Sequence, residues 1–187
     1  MEYLEYGPLK SLIGSWESEG FLGENRAPDP QRNVENTKFR QEMTFEPIGD
    51  VNNHEQVLYA LRYSTKAWED GDDSGPFHEE VGYFIWDQKN NEVMKSFIVP
   101  RGISVNAGGS AKSGDKKFSV KAELGSATYG VCSNKFLDEE FQTVSYEITF
   151  DLEQENKLQY DENTRIKIKG QSKIFDHTEK NILVRKK

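Results

Sequence analysis

The sequence predicts an all-β fold, a closed antiparallel up-and-down barrel of about ten strands with a short N-terminal helical turn. Three observations lead there. Short apolar-rich runs punctuated by Gly, Asn, Asp and Pro recur from Trp16 to the C-terminus, and none keeps the three-and-four spacing of an amphipathic helix over three turns. Residues 164–169 alternate strictly, with Ile166 and Ile168 on one face and Lys167 and Lys169 on the other, as in a wall with one dry and one wet side. Links such as Asp87-Gln88-Lys89-Asn90-Asn91 and Ser113-Gly114-Asp115 are short, polar and tolerant of left-handed backbone, so neighbouring strands run antiparallel. A sheet of so many strands closes on itself or splits into a sandwich, because closure removes exposed edges.

Taken in order, residues 4–13 contain Pro8 and little periodicity, which suits one helical turn plugging a barrel end. The strands are expected at 14–22, 40–47, 56–67, 78–87, 91–99, 102–111, 118–124, 141–152 and 157–169, with a final run near 182–185. Gly14-Ser15-Trp16 opens the first strand. Its indole is expected to meet Arg185 of the last strand, since first and last strands are neighbours in a closed barrel. Residues 24–38 are polar, carry Pro28 and Pro30, and show no period, so they are expected to form a long loop or a flap over an opening. Neither a repeat nor a linker divides the 187 residues, and 1–187 is taken as one domain.

The formal charge of −8, with acidic residues spread along the chain, argues against nucleic acid or an anionic membrane as partner and for a small molecule or a protein. No apolar run is long enough to span a bilayer, and Met1-Glu2-Tyr3-Leu4-Glu5 lacks a secretory signal, so a soluble cytoplasmic protein is expected. Oligomeric state is left open. Cys132 is the single cysteine: it excludes an intrachain disulfide and a thiolate metal site within one subunit, and is expected to be a buried spectator.

Three imidazoles are available. His54, in Asp50-Val-Asn-Asn-His-Glu55, belongs to an exposed turn. His78 opens a strand after the turn Gly75-Pro76-Phe77, and His177 follows the apolar pair Ile174-Phe175. Each is either a hydrogen-bonded structural residue or a ligand. The adjacent Glu79 and Glu80 point to opposite faces of a strand and cannot act as a catalytic pair; the inward one would orient His78. A structural zinc site is not supported, for want of a His-x-x-x-His pair or a second thiol. A haem needs only one axial imidazole and an apolar slot, and the chain lacks Cys-x-x-Cys-His for covalent attachment. A nucleophile elbow, a phosphate loop and a dinucleotide fingerprint are also missing, and the glycines of 102–114 precede a strand rather than a helix N-terminus.

Pro8-Leu9-Lys-Ser-Leu12-Ile-Gly14-Ser-Trp16-Glu-Ser-Glu-Gly20, then Gly75-Pro76-Phe77-His78-Glu-Glu80-Val-Gly82-Tyr83, then His177 ahead of Ile182-Leu183-Val184-Arg185, resemble the nitrobindins from Pro8 to Arg185. The resemblance implies a ten-stranded barrel of lipocalin-like and fatty-acid-binding-protein-like shape with a ferric, non-covalent haem of b type at its mouth. It implies that His177 is the proximal iron ligand, and that His78 and its apolar neighbour Phe77 line the cofactor pocket. Family members are associated with reversible nitric oxide binding and with isomerising peroxynitrite to nitrate. Such a protein would be a haem-dependent peroxynitrite isomerase. The same barrel without haem would instead carry a fatty acid or another small apolar ligand.

Overall fold

In the computed structural model, which describes residues 4–72 and 74–186, period-two alternation decides which side chains enter the core. Strand β8 (Lys117–Glu123) shows it cleanly: Phe118, Val120 and Ala122 are buried, while the four residues between and beside them are exposed. The other strands, in chain order, are β1 (Gly14–Ser18), β2 (Gly23–Pro28), β3 (Val34–Asn53), β4 (Gln56–Glu69), β5 (His78–Asp87), β6 (Glu92–Val99), β7 (Ile103–Ser110), β9 (Val131–Ser133), β10 (Phe141–Asp151), β11 (Lys157–Ile168) and β12 (Phe175–Arg185). The α-helix α1 (Lys135–Glu140) is started by Asn134, whose side-chain oxygen accepts from the Leu137 amide at 3.0 Å.

Neighbours are antiparallel in the order β1-β12-β11-β10-β8-β7-β6-β5-β4-β3-β2. Both β1 and β2 pair with β12 on one side and β3 on the other, so they occupy one place in the wall and close a ten-stranded barrel. Trp16 stands opposite Arg185 in this closure, with the guanidinium 4.2 Å from the indole centroid. The indole nitrogen donates to the Leu12 carbonyl at 2.7 Å, and Arg185 donates to the Ser11 carbonyl at 3.0 Å. The cation thus ties the seam to the N-terminal 3₁₀ helix Leu4–Leu12, whose Tyr6, Leu9 and Leu12 are buried across the barrel end as the expected plug. A kink at Gly7 (φ 53°) brings backbone against Trp86; a Cβ there would lie 2.5 Å from the indole nitrogen.

Above the plug the barrel is filled. Phe84 packs edge-on to Phe45, Tyr63 and Phe150 with ring centroids 5.4, 5.2 and 5.3 Å away. Each such ring removed from water contributes about 2–3 kcal/mol. This cluster fills the interior next to the plug.

The structure corrects several expectations. Residues 24–38 are not a loop: they form most of β2 and the start of β3, joined by a tight turn in which the Asp29 carboxylate accepts from the amides of Gln31 and Asn33 at 2.8 and 2.7 Å. Their outer face meets water and their inner face is polar, so pairing occurs without any apolar alternation. The first strand stops at Ser18 rather than at residue 22, and the last begins at Phe175 rather than near 182, which places His177 inside a wall strand. Cys132 is exposed, not buried, because alternation along β9 turns Val131 inward and its neighbour outward.

Candidate functional site

His78 opens β5 and His177 lies near the start of β12, and alternation turns both side chains into the same end of the barrel. Their side chains are 26% and 27% exposed, so the imidazoles are reachable from that end without being free in solvent. Phe77 sits at the rim, 42% exposed, with its ring 6.1 Å from that of Phe39 and 6.3 Å from the His78 imidazole. On the β11–β12 side Ile166, Ile168 and Phe175 pack together with Phe141, and the guanidiniums of Arg26 and Arg32 lie 4.6 and 4.9 Å from the Phe175 and Phe141 ring centroids. His54, at positive φ in the β3–β4 turn, takes no part.

Below the rim runs a network of charged and hydroxyl groups. His78 Nε2 is 3.3 Å from Glu80 Oε1, and the other oxygen of Glu80 accepts from Tyr63 and Lys95, both at 2.9 Å. The Lys95 ammonium, 1% exposed, also donates to the Tyr146 hydroxyl at 2.7 Å and lies 3.9 Å from the Phe97 ring centroid. Tyr146 in turn donates to Glu162 at 2.9 Å. Glu79 is on the outer face with Lys66 at 2.9 Å, so the two adjacent carboxylates do separate as expected, and Glu80 is the one that meets His78.

His177 is held from two sides. Its Nε2 is 3.0 Å from the Asn25 side-chain oxygen on β2 and 3.3 Å from Glu179 Oε1 on its own strand. Its Nδ1 has no hydrogen-bond partner among the described residues.

Burial alone would depress the pKa of His78, but the hydrogen bond and charge of Glu80 overturn that and raise it to about 9. His177 is likewise opposed by burial and raised by Glu179. Burial would raise Glu80, yet Lys95 and His78 hold it well below the usual carboxylate range. Glu162 lacks such support: burial, then repulsion from Glu179 and Glu80 working against Lys95, lifts it to about 7.

Lys95, Tyr146, Glu162, Glu179 and Asn25 were not singled out in the sequence. The signal existed: in Val93-Met-Lys95-Ser-Phe97 the lysine is in phase with two core residues, as is Glu162 with Tyr160 and Ile166. Of two grooves, about 680 and 720 Å³, the first is lined by Asn25, Glu162 and Glu179 together with outward residues such as Glu24 and Lys180, and neither is lined by His78, His177 or Phe77.

A barrel packed with rings at one end and carrying inward imidazoles at the other has the architecture of a small-ligand barrel. The chain belongs to the nitrobindin family: the family model described as a THAP4-like, haem-binding β-barrel domain matches residues 5–185. Among solved structures it is similar to the crystal structure of Rv2717c from M. tuberculosis, at 18% identity and a TM-score of 0.62 over 96% of this chain and 98% of that one. It is also similar to an S-type phycobiliprotein lyase, CPES from Guillardia theta, at 11% identity and a TM-score of 0.57 over 100% and 94% of the two chains. No curated protein matches the sequence.

The donor set suits the haem that the family binds. His177 has Nε2 bound by oxygen acceptors and Nδ1 without a partner among the described residues, and an imidazole held through an outer hydrogen bond is usual for a metal ligand. Phe77 and Phe39 supply apolar rings on the β3–β5 side of the mouth, and Glu80, Lys95 and Glu162 make the interior below it polar.

Proposed function

We propose that this protein binds a non-covalent haem, of b type, at the barrel mouth, with His177 as its iron ligand and His78 and Phe77 lining the pocket, and that the loaded protein reacts with nitric oxide and peroxynitrite. The observation that carries the reading is the His177 side chain, turned into the same end of the barrel as His78 and held there by Asn25 and Glu179. A bound ferric haem supplies a Lewis-acidic iron with one open coordination position, suited to a diatomic or a peroxo anion. The chain supplies the rest. Asn25 and Glu179 orient His177, Phe77 offers an apolar ring beside His78, and Glu80 holds His78 as a hydrogen-bond donor at the pocket wall.

A lipid carrier is less well supported, because rings and ion pairs occupy the space that an alkyl chain would need. The test is rapid mixing of haem-loaded protein with peroxynitrite, with nitrate measured as product, beside native mass spectrometry of the protein as purified. A higher nitrate yield than free haem gives, lost in His177→Ala, is the expected result. A co-purifying lipid with no change in nitrate yield would replace this reading with the carrier.

A further inference from the structure

We propose that the larger groove, about 720 Å³ on the outer face of β4–β7, is a binding site for a small amphipathic carboxylate, with the apolar body on Val81, Tyr83 and Ile98 and the carboxylate on Arg62. His78, His177 and Phe77 do not line it, so this site is independent of the proposed haem site.

Strand register builds the floor. Arg62, Tyr83, Ser96 and Asn106 stand in one row across β4, β5, β6 and β7, and Ser64, Val81, Ile98 and Ser104 form the next row on the same outer face. A row of four strands is about 14 Å long, which suits a medium-length acyl chain laid across them. Val81 and Ile98 are direct cross-strand neighbours, and with Tyr83 they are exposed. Three large apolar side chains therefore meet water side by side, whereas on β8 the outward positions carry Lys117, Ser119 and Lys121.

The far end of the groove is closed by residues 126–130. Asn106 donates from its backbone to the Gly130 carbonyl at 3.0 Å and from its side chain to the Thr128 carbonyl at 3.1 Å. The Tyr129 ring covers Gly108, where a Cβ would lie 2.2 Å from it. This wall stands before a ligand arrives, so binding need not order a loop.

Charge selects the class of ligand. Charged residues make up 30% of the chain, and Glu24, Lys38, Asp161 and Lys180 all line the other groove, yet Arg62 is the one charged residue among the described residues that line this one. A lone guanidinium presents a planar fork that fits a carboxylate, and a chain of net charge −8 repels a monoanion less than a phosphate dianion. Arg62 is 3.4 Å from Glu46; exposed pairs of this kind are weak, so the guanidinium is free to turn to the ligand.

The experiment titrates decanoate, decanol and decyltrimethylammonium, each below its micelle concentration, into the full chain labelled with 15N and follows the backbone amide shifts. Saturable decanoate shifts are expected at residues 62–64, 81–83, 96–98, 104–106 and 126–132, with decanol about fivefold weaker and the cation weaker still. Arg62→Met is expected to weaken decanoate about fivefold and to leave decanol unchanged. Glu46→Gln, which frees the guanidinium, should tighten decanoate, and Ile98→Asp should abolish binding of both. All three substituted side chains are exposed, and the unshifted part of each spectrum checks the fold. Decanoate and decanol of equal affinity, or decanoate indifferent to Arg62→Met, would overturn the proposal. Shifts at residues 77–80 and 175–179 in place of the groove would overturn it by putting the ligand at the mouth, and shifts that never saturate would overturn it by showing no site.

Discussion

The two halves of the barrel interior are built from the same strands and filled by opposite chemistry. Along β5 the inward residues run His78, Glu80, Gly82, Phe84, Trp86; along β6 they run Phe97, Lys95, Val93. On β5 the ionisable His78 and Glu80 lie on the mouth side of Gly82, and Phe84 and Trp86 on the other; on β6 Phe97 pairs with Gly82 and Lys95 with Phe84, so the ammonium sits where the two chemistries meet. At Gly82 the strands approach so closely that a Cβ would lie 2.0 Å from the Ser96 carbonyl oxygen, which accounts for the glycine in the segment that resembles the nitrobindins. The difference teaches that stability and binding are divided along each strand. The plugged end supplies apolar burial, and the mouth carries buried charges whose worth depends on remaining paired.

The division is most strongly tested from the plugged end. Phe84→Ala removes a fully buried ring from a cluster of four aromatics and is expected to cost about 3–5 kcal/mol in chemical denaturation while leaving haem affinity unchanged. A parallel loss of haem binding would mean that the halves are not independent.

At the mouth, Lys95→Met leaves Glu80 buried without its ammonium, and an expected loss of about 3 kcal/mol follows from the uncompensated charge. Adding Glu80→Gln should recover much of it, because the double variant has no stranded ion. Additive losses in that double-mutant cycle would show that the pair is not coupled.

A pH dependence is the effect that only the mouth should produce. The folded-state pKa of His78 lies near 9 against 6.5 for a free imidazole, so its contribution is complete below about pH 6.5 and disappears as pH rises through about 9. Glu162, raised to about 7 from 4.5, acts in the same sense, its share fading as pH rises through about 7. Thermal stability should therefore fall between about pH 6 and pH 9, by up to about 3 kcal/mol, and Glu80→Gln should flatten most of the fall. Glu80 itself is depressed, so its contribution is present above about pH 4.5 and lost on further acidification. An equal slope in Glu80→Gln would remove His78 as the cause.

The plugged end was legible in the sequence, as apolar residues there repeat at period two and little else competes. Trp16 and Arg185 were paired correctly from the logic of closure. At the mouth the same period is carried by polar residues, so β2 and the start of β3 resembled a loop, and inward Lys95 and Glu162 passed for surface charges. His78 and Glu80 were legible as a pair because they are two apart on one strand. Asn25 and His177 are 152 residues apart, and only closure of the barrel brings them together.

The central claim is that a haem is held at this mouth through His177. Titrating ferric haem into the wild type, His177→Ala and His78→Ala, with the Soret absorbance followed, tests it most directly. The account predicts a shifted, saturable Soret band in the wild type, its loss in His177→Ala, and a band retained with altered position in His78→Ala. A His177→Ala spectrum that matches the wild type would contradict it.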